Sequence, residues 1–265
     1  MTDTSFKTIQ FTVDEHVATI TLDRPDVLNA FDQQMCDDVA QAWRLVRERD
    51  DIHIAVLQAA GDRAFCTGID RRAAVDCVTA PNVWNRFDPG LLLGPKSNAV
   101  WKPVICAVNG MAAGGAFYFI NESDIVICSD DATFFDPHLS YGLVSALEPV
   151  GLSRRVPIGE AMRWALMGLD ERMSSARAHQ IGLVSEVVAA GDLHARAHQI
   201  AAKIAAKPPA AVQGTVKAIW EGLELSRNQA QMVGINYTHV GNPIGTRQVD
   251  PSAFASGRRP RWELR

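Results

Sequence analysis

The sequence predicts a mixed α/β fold in which strands dominate the first half of the chain and helices the second. Alternating apolar and polar residues from Ile9 to Leu22 are typical of a hairpin of two strands. From Ile158 onward the apolar residues recur at helical spacing, which predicts helices throughout that part. At 265 residues the chain is long enough for one large core, with or without a small second unit.

The other elements of the first half follow from the same periodicities. They are a helix over 32–49 and strands over 52–57, 104–108 and 124–128. Residues 110–115 are expected to form a turn that leads into a helix at Ala116. Residues 71–100 are interrupted by prolines and glycines, so we expect a short helix and a loop that moves over a ligand. In the second half, Ser174 is a candidate helix N-cap and Gly182 a candidate helix stop.

Composition and charge exclude several classes of protein. The net charge is −4 and the basic residues are scattered, so the sequence shows no basic patch of the kind that binds nucleic acid. No apolar run reaches the length of a membrane span, and no signal peptide is recognised. The five cysteines have no paired spacing, which favours reduced thiols in a cytoplasmic protein. No metal-ligand spacing is found. The one basic cluster, expected to cover a surface or bind a phosphate, consists of Arg258, Arg259 and Arg261.

Two glycine turns carry the functional signal. The segment 64–70 follows a buried strand, and the segment 108–116 joins a strand to a helix. Unpaired N–H groups, one from each turn, can converge on a carbonyl oxygen and stabilise an oxyanion. Each turn alone is more often a device for tight packing. The patterns of dinucleotide-binding, phosphate-loop and serine-hydrolase proteins are absent.

Taken together, the two turns and several flanking segments resemble the crotonase superfamily, the enoyl-CoA hydratase/isomerase family. The matches extend over nearly the whole chain. They are ITLDRP at 20–25, LNA at 28–30, KPVICAVNG at 102–110, AHQIGLV at 178–184, and Ala253-Phe254 ahead of the basic cluster.

The resemblance implies a crotonase-like spiral of ββα repeats over 1–200, which carries the acyl-CoA site. It implies a C-terminal helical region over 201–265 that assembles a homotrimer or a dimer of trimers. Ile69 and Gly115 would supply the oxyanion donors. No cofactor is implied beyond the coenzyme A of the thioester substrate. The coenzyme is expected near Leu28, Ala30, Thr67, Gly68 and Asp70, with Arg24 either contacting a phosphate or held in an ion pair.

The sequence departs from typical hydratases at the two glutamates that hold and activate water. Tyr118 stands at one of these positions and His138 at the other. A tyrosine is a poor base near neutral pH, whereas a histidine exchanges protons there. Asp136 and Glu148 are further acid/base candidates. Each of the four also has a structural interpretation, as pocket lining, a loop histidine, a loop cap or a surface ion pair.

The favoured function is an enoyl-CoA hydratase/isomerase-like enzyme that stabilises the enolate of an acyl-CoA thioester. Because both usual carboxylates are replaced, two alternatives stay open. One is a non-catalytic protein that binds acyl-CoA. The other is a different reaction of the superfamily, such as thioester hydrolysis. Fold alone cannot choose among them.

Overall fold

The computed structural model describes residues 5–73, 75, 82–250, 252 and 262–264. Cys77, the segment at Ala253 and the basic cluster lie outside these residues. Strands β1 to β10 are Ile9–Asp14, Val17–Leu22, Ile54–Ala59, Ala64–Cys66, Val104–Val108, Met111–Ala113, Ile125–Ser129, Thr133–Phe135, Met173–Ser174 and Glu186–Val188. Helices α1 to α9 are Gln33–Glu48, Gly90–Leu93, Phe117–Glu122, Leu147–Leu152, Ile158–Leu166, Ser175–Gln180, Leu193–Ala205, Pro209–Gly222 and Arg227–Gly245. Short 3₁₀ helices span Pro25–Val27, Val83–Asn85, Gly114–Ala116, Leu139–Tyr141, Gly168–Asp170, Ala190–Asp192 and Thr246–Gln248.

The strands form two sheets, and both sheets gain strands in parallel as the chain proceeds. The larger sheet has the order β1-β2-β3-β5-β7-β10, and the smaller has the order β4-β6-β8-β9. The pairs β3/β4, β5/β6 and β7/β8 each add one strand to both sheets, and the new neighbours are parallel. Only the pairs β1/β2 and β8/β9 of these sheets are antiparallel. This is a spiral of repeated turns, and the predicted mixed α/β fold is confirmed.

Several predicted elements agree with the structure and others need correction. The hairpin, the helix α1 and the Ser174 cap are present, and Ser174 accepts a hydrogen bond from the Arg177 N–H. The strand expected over 52–57 lies over 54–59. The expectation of helices throughout from Ile158 onward was wrong, because β9 pairs with β8 and β10 with β7. The turn expected over 110–115 contains β6. These strands have two or three residues, too few to show a period.

Helix α1 covers the larger sheet with its apolar face. Asp32 caps the helix by accepting a hydrogen bond from the Met35 N–H. Trp43 is fully buried, and its indole N–H donates to the Leu93 carbonyl at 2.8 Å. That bond fixes α2, which lies just after the segment that contains Asp88, against the core.

Contacts divide the chain into two compact units, 1–202 and 203–265. The second unit contains α8 and α9, which pack against each other. Neither helix buries much of its surface, and Met232, Val240 and Ile219 are each more than half exposed. Among the described helices, none is both long and apolar enough to cross a lipid bilayer.

Asp38 ties the start of the hairpin to α1. Its buried carboxylate accepts hydrogen bonds from the N–H groups of Lys7 and Thr8 at 2.9 Å and from the Thr8 hydroxyl at 2.7 Å. Burial acts to raise the pKa of this carboxyl, but the hydrogen bonds outweigh it and leave the pKa below its ordinary value. The charged form is therefore the one that the fold stabilises.

We expect Asp38→Ala to lower the free energy of unfolding by about 2–4 kcal/mol, because it leaves buried donors without a charged acceptor. Chemical denaturation followed by circular dichroism measures this change. The neighbouring Asp37 is exposed and on the same helix, so Asp37→Ala should cost no more than about 0.5 kcal/mol. Equal losses in both variants would show that Asp38 is not an anchor.

Candidate active site

The two glycine turns meet at the backbone. Gly68 has φ +84°, a left-handed conformation that side chains rarely adopt. A Cβ atom at Gly68 would lie 3.1 Å from the Gly115 nitrogen and 3.2 Å from the Ala113 carbonyl oxygen. The turns are in contact because β4 and β6, which precede or enter them, are neighbours in the smaller sheet. Glycine at 68 is therefore required twice, for the conformation and for the close approach.

Each turn presents a backbone N–H group at this contact. Gly68 accepts a hydrogen bond from the Phe31 N–H at 2.9 Å, and the Asp70 N–H donates to the Phe31 carbonyl at 2.8 Å. The Ile69 N–H between them has no acceptor among the described residues. Gly115 lies in the first turn of the 3₁₀ helix Gly114–Ala116, where N–H groups have no partner within the helix. The contact thus brings two turns together, each with a backbone N–H group that has no backbone partner in the described part of the chain.

His138 lies beside the second turn, between two acidic groups. A Cβ atom at Gly114 would be 3.4 Å from the His138 Cε1 atom. The Nδ1–H of His138 donates to the Asp136 Oδ1 at 2.5 Å, since a carboxylate can only accept. The Nε2 atom faces the Glu148 Oε1 at 3.8 Å. Glu148 is 4% exposed, so it is not the surface group of the structural interpretation. Asp136 is fully buried, and its Oδ1 atom also accepts the His138 backbone N–H at 3.2 Å, as the expected loop cap would.

Burial and charge shift the proton affinities of this cluster. The hydrogen bond with Asp136 raises the pKa of His138 above its ordinary value, and the charges of Asp136, Glu148 and Asp88 act in the same direction. Burial raises the pKa of Glu148, with the nearby imidazole opposing it. Because its pKa is raised, Glu148 exchanges its proton closer to neutral pH than an ordinary carboxyl does. The raised pKa of His138 means that the imidazole keeps its second proton to higher pH.

Tyr118 connects the cluster to Asp88, a residue that was not predicted from the sequence. Its hydroxyl donates to the Asp88 Oδ2 at 3.0 Å and also faces Glu148. Burial, followed by the charges of Glu148 and Asp88, raises the pKa of Tyr118, so the phenol keeps its proton. Asp88 could not be found from the sequence, because it lies in an irregular segment with no motif. Its only signal is the Asp-Pro-Gly turn before α2.

Most residues predicted to contact coenzyme A line one open cleft. Its volume is about 690 Å³, and its walls include Leu28, Ala30, Thr67, Ile69 and Asp70. Gly68 lies at the contact with the second turn.

Three arginines also line this cleft, and none of them was predicted from the sequence to contact the coenzyme. They are Arg63, Arg71 and Arg72. Their guanidinium groups are the cations that this wall can offer to a phosphate. Arg72 is largely exposed, although its Nε lies 3.5 Å from the Asp70 carboxylate.

Two roles were expected for Arg24, a contact with a phosphate or a structural ion pair, and the structure shows the ion pair. Its guanidinium donates to the Ala30 carbonyl at 2.5 Å. It also pairs with Asp32 at 3.0 Å and Asp70 at 3.3 Å. These bonds join the start of α1 to the first glycine turn, so the arginine positions the wall of the cleft.

Two other features bear on the chemistry. Burial raises the pKa of the Cys66 thiol to about 12, so it is not a nucleophile near neutral pH. Among the described residues, no group of three or more histidine, cysteine or acidic side chains is arranged to hold a metal ion.

Comparison with known proteins identifies the family. The family model for enoyl-CoA hydratase/isomerase matches residues 12–265. (E)-Benzylidenesuccinyl-CoA hydratase of Thauera aromatica is 34% identical over 232 residues, which are 86% of each chain. Carnitinyl-CoA dehydratase of Proteus mirabilis is 30% identical over 98% of this chain and 99% of its own. The 1,2-epoxyphenylacetyl-CoA isomerase of Escherichia coli is 30% identical over 94% of this chain and 96% of its own.

A solved structure gives the same result. The crystal structure of an enoyl-CoA hydratase/isomerase from Mycobacterium paratuberculosis matches with a TM-score of 0.87 and 37% identity, over 98% of this chain and 100% of that chain. The crotonase-like fold expected from the sequence is therefore confirmed. The chain belongs to the enoyl-CoA hydratase/isomerase family.

Proposed function

We propose that this enzyme adds water to, or shifts the double bond of, an enoyl-CoA thioester, with His138 and Glu148 as its proton-transfer groups. The observation that carries the proposal is the position of His138. It is held by Asp136 at 2.5 Å, faces Glu148 at 3.8 Å and lies beside the turn that carries Gly115. The named relatives include a hydratase, a dehydratase and an isomerase of CoA thioesters, which supports chemistry of this kind.

The first part of the mechanism is carbonyl polarisation. The thioester oxygen accepts hydrogen bonds from the N–H groups of Ile69 and Gly115. Negative charge that develops on this oxygen meets donors already in place, so little reorganisation is needed in the transition state. The enolate becomes accessible, and the carbon next to the carbonyl gains or loses a proton more easily.

The second part is proton transfer. Asp136 holds the Nδ1–H of His138, which turns Nε2 towards Glu148. For hydration, one of the pair takes a proton from water while the other gives one to the α-carbon. For a double-bond shift, one group suffices, because the same base removes and returns the proton. Tyr118 keeps its proton, and its hydroxyl donates a hydrogen bond to Asp88 beside Glu148.

Coenzyme A is proposed to occupy the open cleft. Leu28, Ala30 and Thr67 would contact the nucleotide through apolar and backbone atoms, with Gly68 and Asp70 at the end nearest the thioester. Arg63, Arg71 and Arg72 supply positive charge for its phosphates. The thioester then needs no cofactor of its own in this scheme.

The second unit is proposed to assemble a homotrimer, alone or as a dimer of trimers. Its helices expose a set of large apolar side chains, which a solitary helix pair would leave in water. These are Ile219, Leu223, Met232, Ile235, Val240 and Ile244. A cytoplasmic location remains a prediction from the sequence.

The first prediction concerns His138. In His138→Ala, kcat with crotonyl-CoA or a 3-enoyl-CoA should fall by about 10²–10⁴, because a positioned acid/base group is lost. The change in conjugated-thioester absorbance measures turnover, and calorimetry with acetyl-CoA checks that binding persists. His179 is exposed on α6, so His179→Ala should leave kcat unchanged. Tight binding by the parent enzyme without turnover of either substrate would favour a binding protein or another reaction, such as thioester hydrolysis.

The second prediction concerns pH. Asp136→Asn removes the main cause of the raised His138 pKa, so that pKa should fall towards its ordinary value. The limb of the pH profile that His138 controls should therefore move to lower pH, whether the residue acts as acid or base. Measuring kcat/KM from pH 5 to 9 in both proteins tests this. An unmoved or alkaline-shifted limb would rule out the assigned role of Asp136.

The third prediction separates the oxyanion hole from backbone strain. Gly68→Ala and Gly182→Ala both place alanine at φ +84°, but only the Gly68 variant meets neighbouring atoms. Gly182→Ala should lose about 1–2 kcal/mol of stability, since a side chain is disfavoured in this conformation, and Gly68→Ala should lose more, because its Cβ also crowds backbone atoms. Only Gly68→Ala should lower kcat, by about 10²–10³ if one donor is displaced. Equal kcat in the two variants would contradict the proposed donors.

A further inference from the structure

Asp88 is the acidic group of the cluster to which the proposed mechanism gives no task. Its Oδ1 atom accepts the Gly90 N–H at 2.7 Å, and its Oδ2 atom accepts the Tyr118 hydroxyl at 3.0 Å. The side chain is only half-buried, and no ion pair with lysine or arginine is found for it among the described residues. Its negative charge nevertheless acts on both His138 and Tyr118. Asp88 therefore faces the reacting groups and not the bulk solvent alone.

Hydrogen-bond acceptors outnumber donors in this part of the site. Asp88, Asp136 and Glu148 are three carboxylates, and each can accept about four hydrogen bonds. The side-chain donors that face them are the Tyr118 hydroxyl and the His138 ring, and the backbone donors are the N–H groups of Gly90 and His138. The Asp136 Oδ2 atom is buried without any partner among these residues. The site therefore has acceptor capacity that its own side chains do not use.

The unused hydrogen-bond acceptors lie on the side of the proposed oxyanion hole where the acyl group of the substrate would be. A Cβ atom at Gly115 would be 3.1 Å from the Tyr118 ring, so the phenol and its partner Asp88 lie close to the proposed donor Gly115. The cleft assigned to coenzyme A is lined by a different set of residues, around Leu28 and Thr67. A thioester with its carbonyl at Gly115 and its coenzyme in that cleft directs its acyl group towards Tyr118.

Resting on the proposed function, we propose that Asp88, with Glu148, recognises a hydrogen-bond donor on the acyl group, either a hydroxyl or an ammonium. A plain alkyl chain would displace water from these carboxylates without replacing its hydrogen bonds, which is costly for charged acceptors. A donor-bearing acyl group supplies the missing bonds. The preferred substrate is thus a short polar acyl-CoA.

The test is calorimetric binding of two matched pairs of saturated thioesters. Pentanoyl-CoA differs from 4-hydroxybutanoyl-CoA by a methyl group in place of the hydroxyl. Butanoyl-CoA differs likewise from 3-aminopropanoyl-CoA, which carries the ammonium. In at least one pair we expect about tenfold tighter binding of the donor-bearing member, and the pair that shows it identifies the donor. Equal affinities in both pairs, or tighter binding of the alkyl members, would overturn the proposal.

Variants assign the preference to Asp88. In Asp88→Leu the ratio of affinities within the preferred pair should fall to near one, whereas Asp170→Leu, at an exposed site of the same unit, should keep it. If the leucine variant does not fold, Asp88→Ala serves, since it also removes both acceptor oxygens and should bring the ratio to near one for either donor. An unchanged ratio in a folded Asp88 variant would also overturn the assignment.

These measurements are independent of turnover. A protein that shows the preference but converts no enoyl-CoA would refute the proposed reaction and leave the recognition by Asp88 standing. Turnover of crotonyl-CoA without any preference would do the reverse. Failure to bind any acyl-CoA would overturn both.

Discussion

The contact between the Gly68 turn and the backbone of Gly115 is the constraint on which the rest of the site depends. A Cβ atom at position 68 would come within 3.1 Å of the Gly115 nitrogen, so the two turns can be this close only without a side chain there. The spiral supplies the approach, because each turn of chain adds one strand to each sheet and makes β4 and β6 neighbours. Two turns that are remote in sequence are thereby held together on the frame of the smaller sheet, which the proposed oxyanion hole requires.

The same frame explains why the acidic cluster is held tightly. Asp136 follows β8, the neighbour of β6, and its carboxylate is fully buried. A charge in that position needs a partner, and the His138 ring provides one at 2.5 Å. Glu148 reaches the cluster from the start of α4, whose packing against α3 also brings it to Tyr118. Burial thus raises the pKa of Glu148, while the hydrogen bond with Asp136 raises that of His138.

The sequence predicted what depends on local pattern and missed what depends on distant contacts. The hairpin, α1 and the Ser174 cap follow from periodicity and capping chemistry within a few residues. The strands β6, β9 and β10 were missed because two or three residues show no period, and only pairing across the sheets creates them. The role of the glycine turns was predicted from the resemblance to the family. The contact of Asp88 with Tyr118 was not predicted, because the two residues are 30 positions apart in sequence and Asp88 lies in an irregular segment.

The close spacing of the cluster means that its acid and base cannot be assigned one at a time. An ionised Glu148 favours the imidazolium form of His138, and an imidazolium at 3.8 Å favours ionised Glu148. Removing a proton from either group therefore makes the other hold its own proton more tightly, and the titration steps belong to the pair. With Glu148 as a second titrating partner, the proposed two-group chemistry does not need a glutamate at position 138. The proposed site sets one imidazole against three carboxylates, and this excess of acceptors is the reason for the proposed preference for acyl groups that carry hydrogen-bond donors.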